Sequence, residues 1–289
     1  MRVGFIGLGR MGGGVCSNII KNGYDVTVYD AYESALKNFE GRAKLAKNAE
    51  ETFSETDVTL LSLPGYPEVE AITEKFLGLG VKGKGVIDLS TSYPTSSKMI
   101  HERFKKAGGY YLDAPLTGSP VHAAEGTLVV NVGGDEADYE RYKELIGAFS
   151  KASNYIGGPG AGNIAKLCNN YLAIMYIGLY GEIFPLAEKL GYDVKKLYEI
   201  IMDSGVNCPT YRGHIPKMCI DKTFTPGFAL DYCLKDLSYV KKLFDELKAP
   251  SFLLDGGLNA FKLAHAMGLG TGDSTGVAKV TYKNLGMDI

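Results

Sequence analysis

Six residues near the N-terminus restrict the fold more than any other part of the chain. Gly7-Leu8-Gly9-Arg10-Met11-Gly12 follows directly on the apolar run Val3–Ile6 and opens a helical pattern. A strand that turns on glycines into a helix is the first half of a βαβ unit, which needs a parallel sheet to sit in. Each glycine has its own reason. The first permits the tight turn, the second lets the backbone approach a pyrophosphate, and the third lets helix and strand pack closely. The helix N-terminus then offers an anion free N–H groups and the positive end of its dipole. Gly7, Leu8, Gly9, Arg10, Met11 and Gly12 are therefore expected to hold a dinucleotide pyrophosphate. A glycine-rich turn without a ligand is the plainer reading, and the strand before and helix after weigh against it.

The same rhythm continues downstream. Val26–Tyr29, Val58–Leu63, Val86–Leu89, Tyr110–Leu112 and Leu128–Val132 read as strands, with helical patterns between and after them. Near Asn163 the rhythm stops. From there to about Leu190 the pattern is helical, interrupted only by Pro185. Such a helix would be roughly 40 Å long, enough to run from one domain to another. Beyond it strand signals nearly vanish. The expected fold is an α/β Rossmann domain with a parallel sheet over residues 1–162. A long connecting helix and an all-α C-terminal domain then fill residues 163–289.

The end of the second strand holds the expected acid, whose plainer reading is a surface turn Asp. Asp30 closes Val26–Tyr29, 18 residues after Gly12. A carboxylate there accepts from ribose hydroxyls and repels a 2′-phosphate. NADP enzymes usually place an arginine next; here Ala31-Tyr32-Glu33 follow. NAD is expected over NADP.

Composition excludes several partners. A net charge of -2 gives no electrostatic footprint for nucleic acid or an acidic membrane. No apolar run has membrane-spanning length, and the N-terminus enters strand-like sequence at once, so neither anchor nor leader is expected. The five cysteines form no CxxC pair and no Cys/His cluster. That fits a reducing cytoplasm and argues against a structural metal.

Gly160-Ala161-Gly162-Asn163-Ile164-Ala165-Lys166 opens the long helix, and Asn170 follows Lys166 by one turn. Lys166 and Asn170 are i and i+4 on one face, with Asn163 on the same stripe. The rest of the helix is largely apolar. The residues leave two readings open. Lys166 is a proton donor and acceptor for a substrate oxygen, its pKa lowered by burial, with Asn170 orienting that oxygen. Or Lys166 snorkels to solvent near a helix start.

Six segments in order then resemble the β-hydroxyacid dehydrogenase family, which includes 3-hydroxyisobutyrate dehydrogenase and tartronate semialdehyde reductase. They are Phe5–Gly12, Ser62-Leu63-Pro64, Asp88-Leu89-Ser90-Thr91, Asp113-Ala114-Pro115-Leu116-Thr117-Gly118-Ser119, Gly160 to Asn170, and Phe228 to Lys235-Asp236-Leu237. The resemblance covers almost the whole chain. It implies that Lys166 is the general acid/base and Asn170 its substrate-orienting partner. It implies that backbone N–H groups around Thr117, Gly118 and Ser119 receive the substrate carboxylate. Leu63 and Pro64 would line the cofactor, and Thr91 and Lys235 would contact its nicotinamide end. The family's helical domain also mediates oligomerisation, so a homodimer or homotetramer is expected.

Departures from the family pattern bear on the substrate. The family turn usually reads Val-Ser-Gly-Gly, whereas here Leu116-Thr117-Gly118-Ser119-Pro120 stands. Ser119 resembles the branch that reduces glyoxylate and succinic semialdehyde. Asn169-Asn170-Tyr171 resembles the branch that reduces longer semialdehydes and sulfolactaldehyde. His122 is either a further donor toward an anion or a rim histidine in a loop. Tyr211, Arg212 and His214 fall in a segment that often closes over substrate. Arg212 would suit a second anionic group or is an ordinary exposed arginine. The expected activity is NAD-dependent interconversion of a small β-hydroxy acid and its semialdehyde, with no metal. Reduction of a longer or sulfonated semialdehyde, or of glyoxylate, is the alternative. An imine reductase would lack Lys166, and a non-catalytic dinucleotide-binding protein would have no use for Lys166, Asn170 and the anion turn together.

Overall fold

Strand–helix alternation builds a nine-stranded sheet in the first part of the chain. The structure is a computed structural model that describes residues 1–289. Two compact units divide between Lys166 and Leu167.

The first unit runs β1 (Arg2–Ile6), α1 (Gly12–Lys21), β2 (Asp25–Tyr29), α2 (Glu33–Lys37), β3 (Lys44–Leu45), α3 (Ala49–Glu55), β4 (Val58–Leu61), α4 (Tyr66–Leu79), β5 (Gly85–Asp88), α5 (Pro94–Lys106) and β6 (Tyr110–Asp113). It continues with β7 (Leu116–Thr117), α6 (Pro120–Glu125), β8 (Leu128–Gly133), α7 (Glu136–Gly147) and β9 (Ser150–Gly157). The strand order is β3-β2-β1-β4-β5-β6-β8-β7, with β9 on β8. Pairing from β3 through β6 is parallel, and the order reverses direction between β1 and β4. Ligands of such sheets bind beyond the carboxyl ends of the strands at that reversal.

Successive strand residues feed opposite faces. Leu60, Ile87 and Leu112 join Val15 and Ile19 of α1 and Leu145 of α7 in one core. Their neighbours Leu61, Val86 and Tyr111 join Phe53, Phe76, Ile100 and Phe104 in another. Burial on both faces is why β4 and β5 show no alternation of apolar and exposed polar residues.

The far edge departs from the parallel expectation. β8 runs antiparallel to β6 and β7 and parallel to β9. The connections explain it. Residues 114–115 join β6 to β7 and 118–127 join β7 to β8. The second is shorter than the dozen or so residues a parallel crossover needs, and β6 and β7 run on in one direction along β8. β9 gives no strand signal because half of its residues are exposed and Lys151, Ser153 and Asn154 interrupt any apolar run. α3 carried one: Asn48 accepts from Glu51 N at 2.8 Å and Glu51 accepts from Lys47 N at 2.7 Å, a capping pattern legible as Asn-x-x-Glu.

α8 (Ala161–Lys189) begins in the first unit and runs into the second. The unit boundary lies within it, four residues beyond the expected break after 162. Then come α9 (Val194–Met202), α10 (Pro209–Ile215), α11 (Leu230–Glu246), α12 (Phe252–Ala264) and α13 (Ala278–Asn284), with no strands. Their core gathers Ile177 and Phe184 of α8 with Tyr211, Leu237, Phe261 and Tyr282. Gly181 lets Ala278 approach closely: a Cβ there would lie 3.2 Å from Ala278 Cα. Pro185 does not end α8; its missing N–H costs one helical bond a turn before the C-terminus. No helix is long and apolar enough to cross a membrane.

Candidate active site

The dinucleotide turn is built on backbone contacts that only glycine allows. Gly7 has φ +95°, and a Cβ on it would run into Ser62 O. A Cβ on Gly12 would run into Gly7 O. A Cβ on Gly9 would meet no protein atom within 4 Å, so that side of the turn is open. No side chain caps α1 at Met11, and Gly13 N in its first turn donates to Gly9 O at 2.8 Å. Asp30 closes the turn from β2. Its Oδ2 accepts from Leu8 N at 2.6 Å and its Oδ1 from Tyr32 N at 2.8 Å. Each oxygen keeps a lone pair for a ribose hydroxyl. A helix N-terminus without a side-chain cap, an open Gly9 face and an anchored carboxylate fit a dinucleotide.

The loops after β4 and β5 are tied together beside this turn. Leu63 N donates to Ser90 Oγ at 2.9 Å, which sets Leu63 and Pro64 against the segment 88–92. That segment wraps the Asp88 carboxylate, which accepts from Ser90 N (2.9 Å), Ser92 Oγ (2.8 Å) and Tyr111 OH (3.1 Å). Thr91 sits half-buried in the middle of the wrap.

Asp113, in register with Asp88 on the next strand, anchors the start of α8. Its carboxylate accepts from Gly160 N and Asn163 N, both at 2.8 Å. The two glycines of Gly160-Ala161-Gly162 serve this docking. Gly160 has φ +85°, and a Cβ on Gly162 would run into Asp113 O. Asp113 was not among the expected site residues; its partners lie 47 and 50 residues away. Burial pushes its carboxyl up to about 7, against the pull of the two N–H donors. The native state therefore holds this proton where the unfolded chain, near the ordinary 3.8, has lost it. More protons bound in the native state means that stability falls as pH rises from about 4 to about 7. The slope is at most about 1.4 kcal/mol per pH unit. Asp113→Asn is expected to remove that component, so its stability loss relative to wild type shrinks between pH 5 and pH 7 in urea unfolding. Equal pH slopes in the two proteins would refute the assignment.

Lys166 and Asn170 lie one turn apart on α8, as the spacing required. Lys166 is half-buried. Asn163, expected on their stripe, is fully buried and faces the first unit's interior. Asn170 Nδ2 donates to Asp236 Oδ2 at 2.6 Å. Asp236 is 2% exposed and pairs through Oδ1 with Lys235 Nζ at 3.2 Å. Lys235 Nζ also lies 5.0 Å from the ring centre of Tyr239. Asp236 was missed as a functional residue, although its place beside Lys235 was the available signal.

The proposed anion turn is partly occupied from within. Thr117 pairs with Val129 in the sheet, and Gly118 has φ +137°. His122 does not lie in a rim loop. It occupies the first turn of α6, where its Nδ1 accepts from Ser119 N at 3.1 Å and lies 2.7 Å from Ser119 Oγ. Nδ1 accepts, so the ring proton of the neutral form sits on Nε2. α6 docks on α1 where Gly14 leaves room and Asn18 Nδ2 donates to Ala123 O at 2.8 Å. In the second unit Tyr211 is a core residue, stacked on Tyr198 with ring centres 5.2 Å apart, so it is unavailable to close over a ligand. Arg212 is exposed and donates to Asn207 Oδ1 at 2.8 Å.

Residues 2–157 match the family described as the NAD binding domain of 6-phosphogluconate dehydrogenase. Residues 160–281 match the family described as NAD-binding of NADP-dependent 3-hydroxyisobutyrate dehydrogenase. The chain belongs to the β-hydroxyacid dehydrogenase family. It is 32% identical over 241 residues to the 2-hydroxy-3-oxopropionate reductase of Escherichia coli (strain K12), 82% of each chain. It is 30% identical to the mitochondrial 3-hydroxyisobutyrate dehydrogenase of Homo sapiens, over 95% of this chain and 85% of that one. Among solved structures, a Mycobacterium tuberculosis 3-hydroxyisobutyrate dehydrogenase with L-serine superposes with a TM-score of 0.87 at 28% identity, over 97% and 99% of the two chains. As a β-hydroxyacid dehydrogenase this chain is an NAD-dependent oxidoreductase of the hydroxyacid dehydrogenase and semialdehyde reductase class.

Proposed function

We propose that this β-hydroxyacid dehydrogenase interconverts a small β-hydroxy acid and its semialdehyde, with Lys166 as general acid/base. One observation carries the reading: Lys166 and Asn170 share a face of α8, whose first turn Asp113 anchors at the carboxyl end of β6. NADH, when bound, supplies hydride to the carbonyl carbon. The Lys166 ammonium gives its proton to the carbonyl oxygen as that oxygen gains charge, and takes one back in oxidation. Asn170, held by Asp236, orients the same oxygen. Backbone N–H groups around Thr117, Gly118 and Ser119 receive the carboxylate, with Ser119 N–H shared with His122. Gly7, Leu8, Gly9, Arg10, Met11 and Gly12 cradle the pyrophosphate. Leu63, Pro64, Thr91 and Lys235 are proposed as further cofactor contacts.

NAD is preferred over NADP. Asp30, fixed by two backbone N–H groups, would meet a 2′-phosphate with like charge. A longer or sulfonated semialdehyde, or glyoxylate, is the second reading, supported by the exposed His122 in the first unit and the exposed Arg212 in the second. Five free cysteines suit a cytoplasmic setting, and exposed Leu172, Leu179 and Ile183 on α8 suit a homodimer or homotetramer.

The test is NADH oxidation against tartronic, methylmalonic and succinic semialdehydes, glyoxylate and sulfolactaldehyde. NADPH and Asp30→Ala are run in parallel. One substrate is expected to dominate with NADH at least about tenfold better than NADPH, and Asp30→Ala is expected to narrow that ratio. Equal use of both cofactors by wild type would sink the Asp30 assignment. No turnover with any substrate, despite tight NADH binding, would place the substrate outside this set.

A further inference from the structure

We propose that Asn163 is a positioning residue that locks the segment 88–92 to the first turn of α8, so that Thr91 and Lys166 are held in one frame. The inference rests on the general acid/base reading of Lys166. Asn163 is 0% exposed, and its side chain is engaged at both ends. Its Oδ1 accepts from Ser92 N at 2.8 Å, and its Nδ2 donates to Ser97 Oγ at 3.1 Å. Its own backbone N–H donates to Asp113 Oδ2 at 2.8 Å. Ser92 follows Thr91 directly and ties its own hydroxyl to Asp88 Oδ2 at 2.8 Å.

A single amide thus connects the loop after β5, α5 and α8. Asparagine is a poor helix former, and a fully buried amide is costly unless both its groups are satisfied. Helix propensity therefore gives no reason for it here, whereas the clamp does. The position needs an acceptor and a donor on one short planar group. Serine or threonine cannot present both at that separation, and aspartate would add a second carboxylate next to Asp113. Lys166 follows three residues later on the same helix, so any shift of the first turn moves its stem.

The consequence is catalytic rather than thermodynamic. Misplacing a reacting group by about 1 Å can cost on the order of 100-fold in rate. Asn163→Ala is expected to lower kcat about 10–100-fold and to change KM for NADH by less than about threefold. The experiment compares wild type, Asn163→Ala, Lys166→Met and the double variant in single-turnover NADH oxidation, with melting temperatures alongside. If Asn163 acts through Lys166, the double variant is no slower than Lys166→Met alone. A folded Asn163→Ala with wild-type kcat overturns the proposal, and so do losses that multiply in the double variant. Undiminished turnover in Lys166→Met overturns the general acid/base reading itself, a different result from either. Should Asn163→Ala melt below the assay temperature, Ser97→Ala carries the test. It removes one of the two side-chain bonds, and a loss of about 3–10-fold in kcat is expected. Wild-type kcat in Ser97→Ala overturns the proposal.

Discussion

Lys166→Met is expected to lower kcat for semialdehyde reduction by about 100- to 10,000-fold, the range that removal of a positioned general acid commands. Methionine suits the test because it is unbranched, similar in length and a good helix former, so α8 should persist. What it lacks is the proton. Without it, negative charge gathers on the carbonyl oxygen as hydride arrives, and Asn170 alone can donate a hydrogen bond. NADH affinity is expected to stay within several-fold of wild type, because the pyrophosphate turn and Asp30 are untouched. Fluorescence titration of NADH and steady-state turnover separate the two. A variant that binds NADH normally and turns over at the wild-type rate would end the role proposed for Lys166.

The other large effect belongs to Gly12→Ala, which is expected to unfold or severely weaken the first unit. A Cβ at Gly12 would overlap Gly7 O and lie 3.0 Å from Ser62 Cβ. One neighbour is the backbone of the β1–α1 turn, and the other stands at the end of β4. Neither can yield unless α1 lifts from the sheet. Overpacking of this kind costs about 3 kcal/mol or more. For a domain of this size that corresponds to a fall of roughly 6–12 °C in Tm. Gly9→Ala is the control. Its Cβ would meet no protein atom, so the fold is expected to survive while NADH binding weakens. Thermal melts followed by circular dichroism distinguish the pair. A Gly12→Ala protein as stable as Gly9→Ala would contradict the packing argument.

Much of the site was legible because its signals are local. Gly7 to Gly12 reads as a dinucleotide turn since strand, turn and helix are contiguous. Asp30 is found by counting along β2, and Lys166 and Asn170 by helical spacing. The loop alternative for His122 does not hold, because Ser119 and His122 cap a six-residue helix too short to show a period. Asp236 carried only the weak signal of its neighbour.

Local periodicity in the amino-acid order was enough to specify the parallel strands β1, β2, β4, β5 and β6, most of the helices between them, the length of α8 and the change to an all-helical second half, but not the two exposed residues of β3. Those features rest on contacts a few residues apart or on which faces are apolar. The antiparallel edge of the sheet, the anchoring of α8 by Asp113 and the clamp at Asn163 emerged only in three dimensions. Each depends on polar groups 47 to 71 residues apart, or on strands whose partners are chosen by connection length. A buried carboxylate or amide has no period of its own. Its partners are whatever donors and acceptors the folded backbone brings within about 3 Å, because leaving it unpaired would cost more than the alternatives.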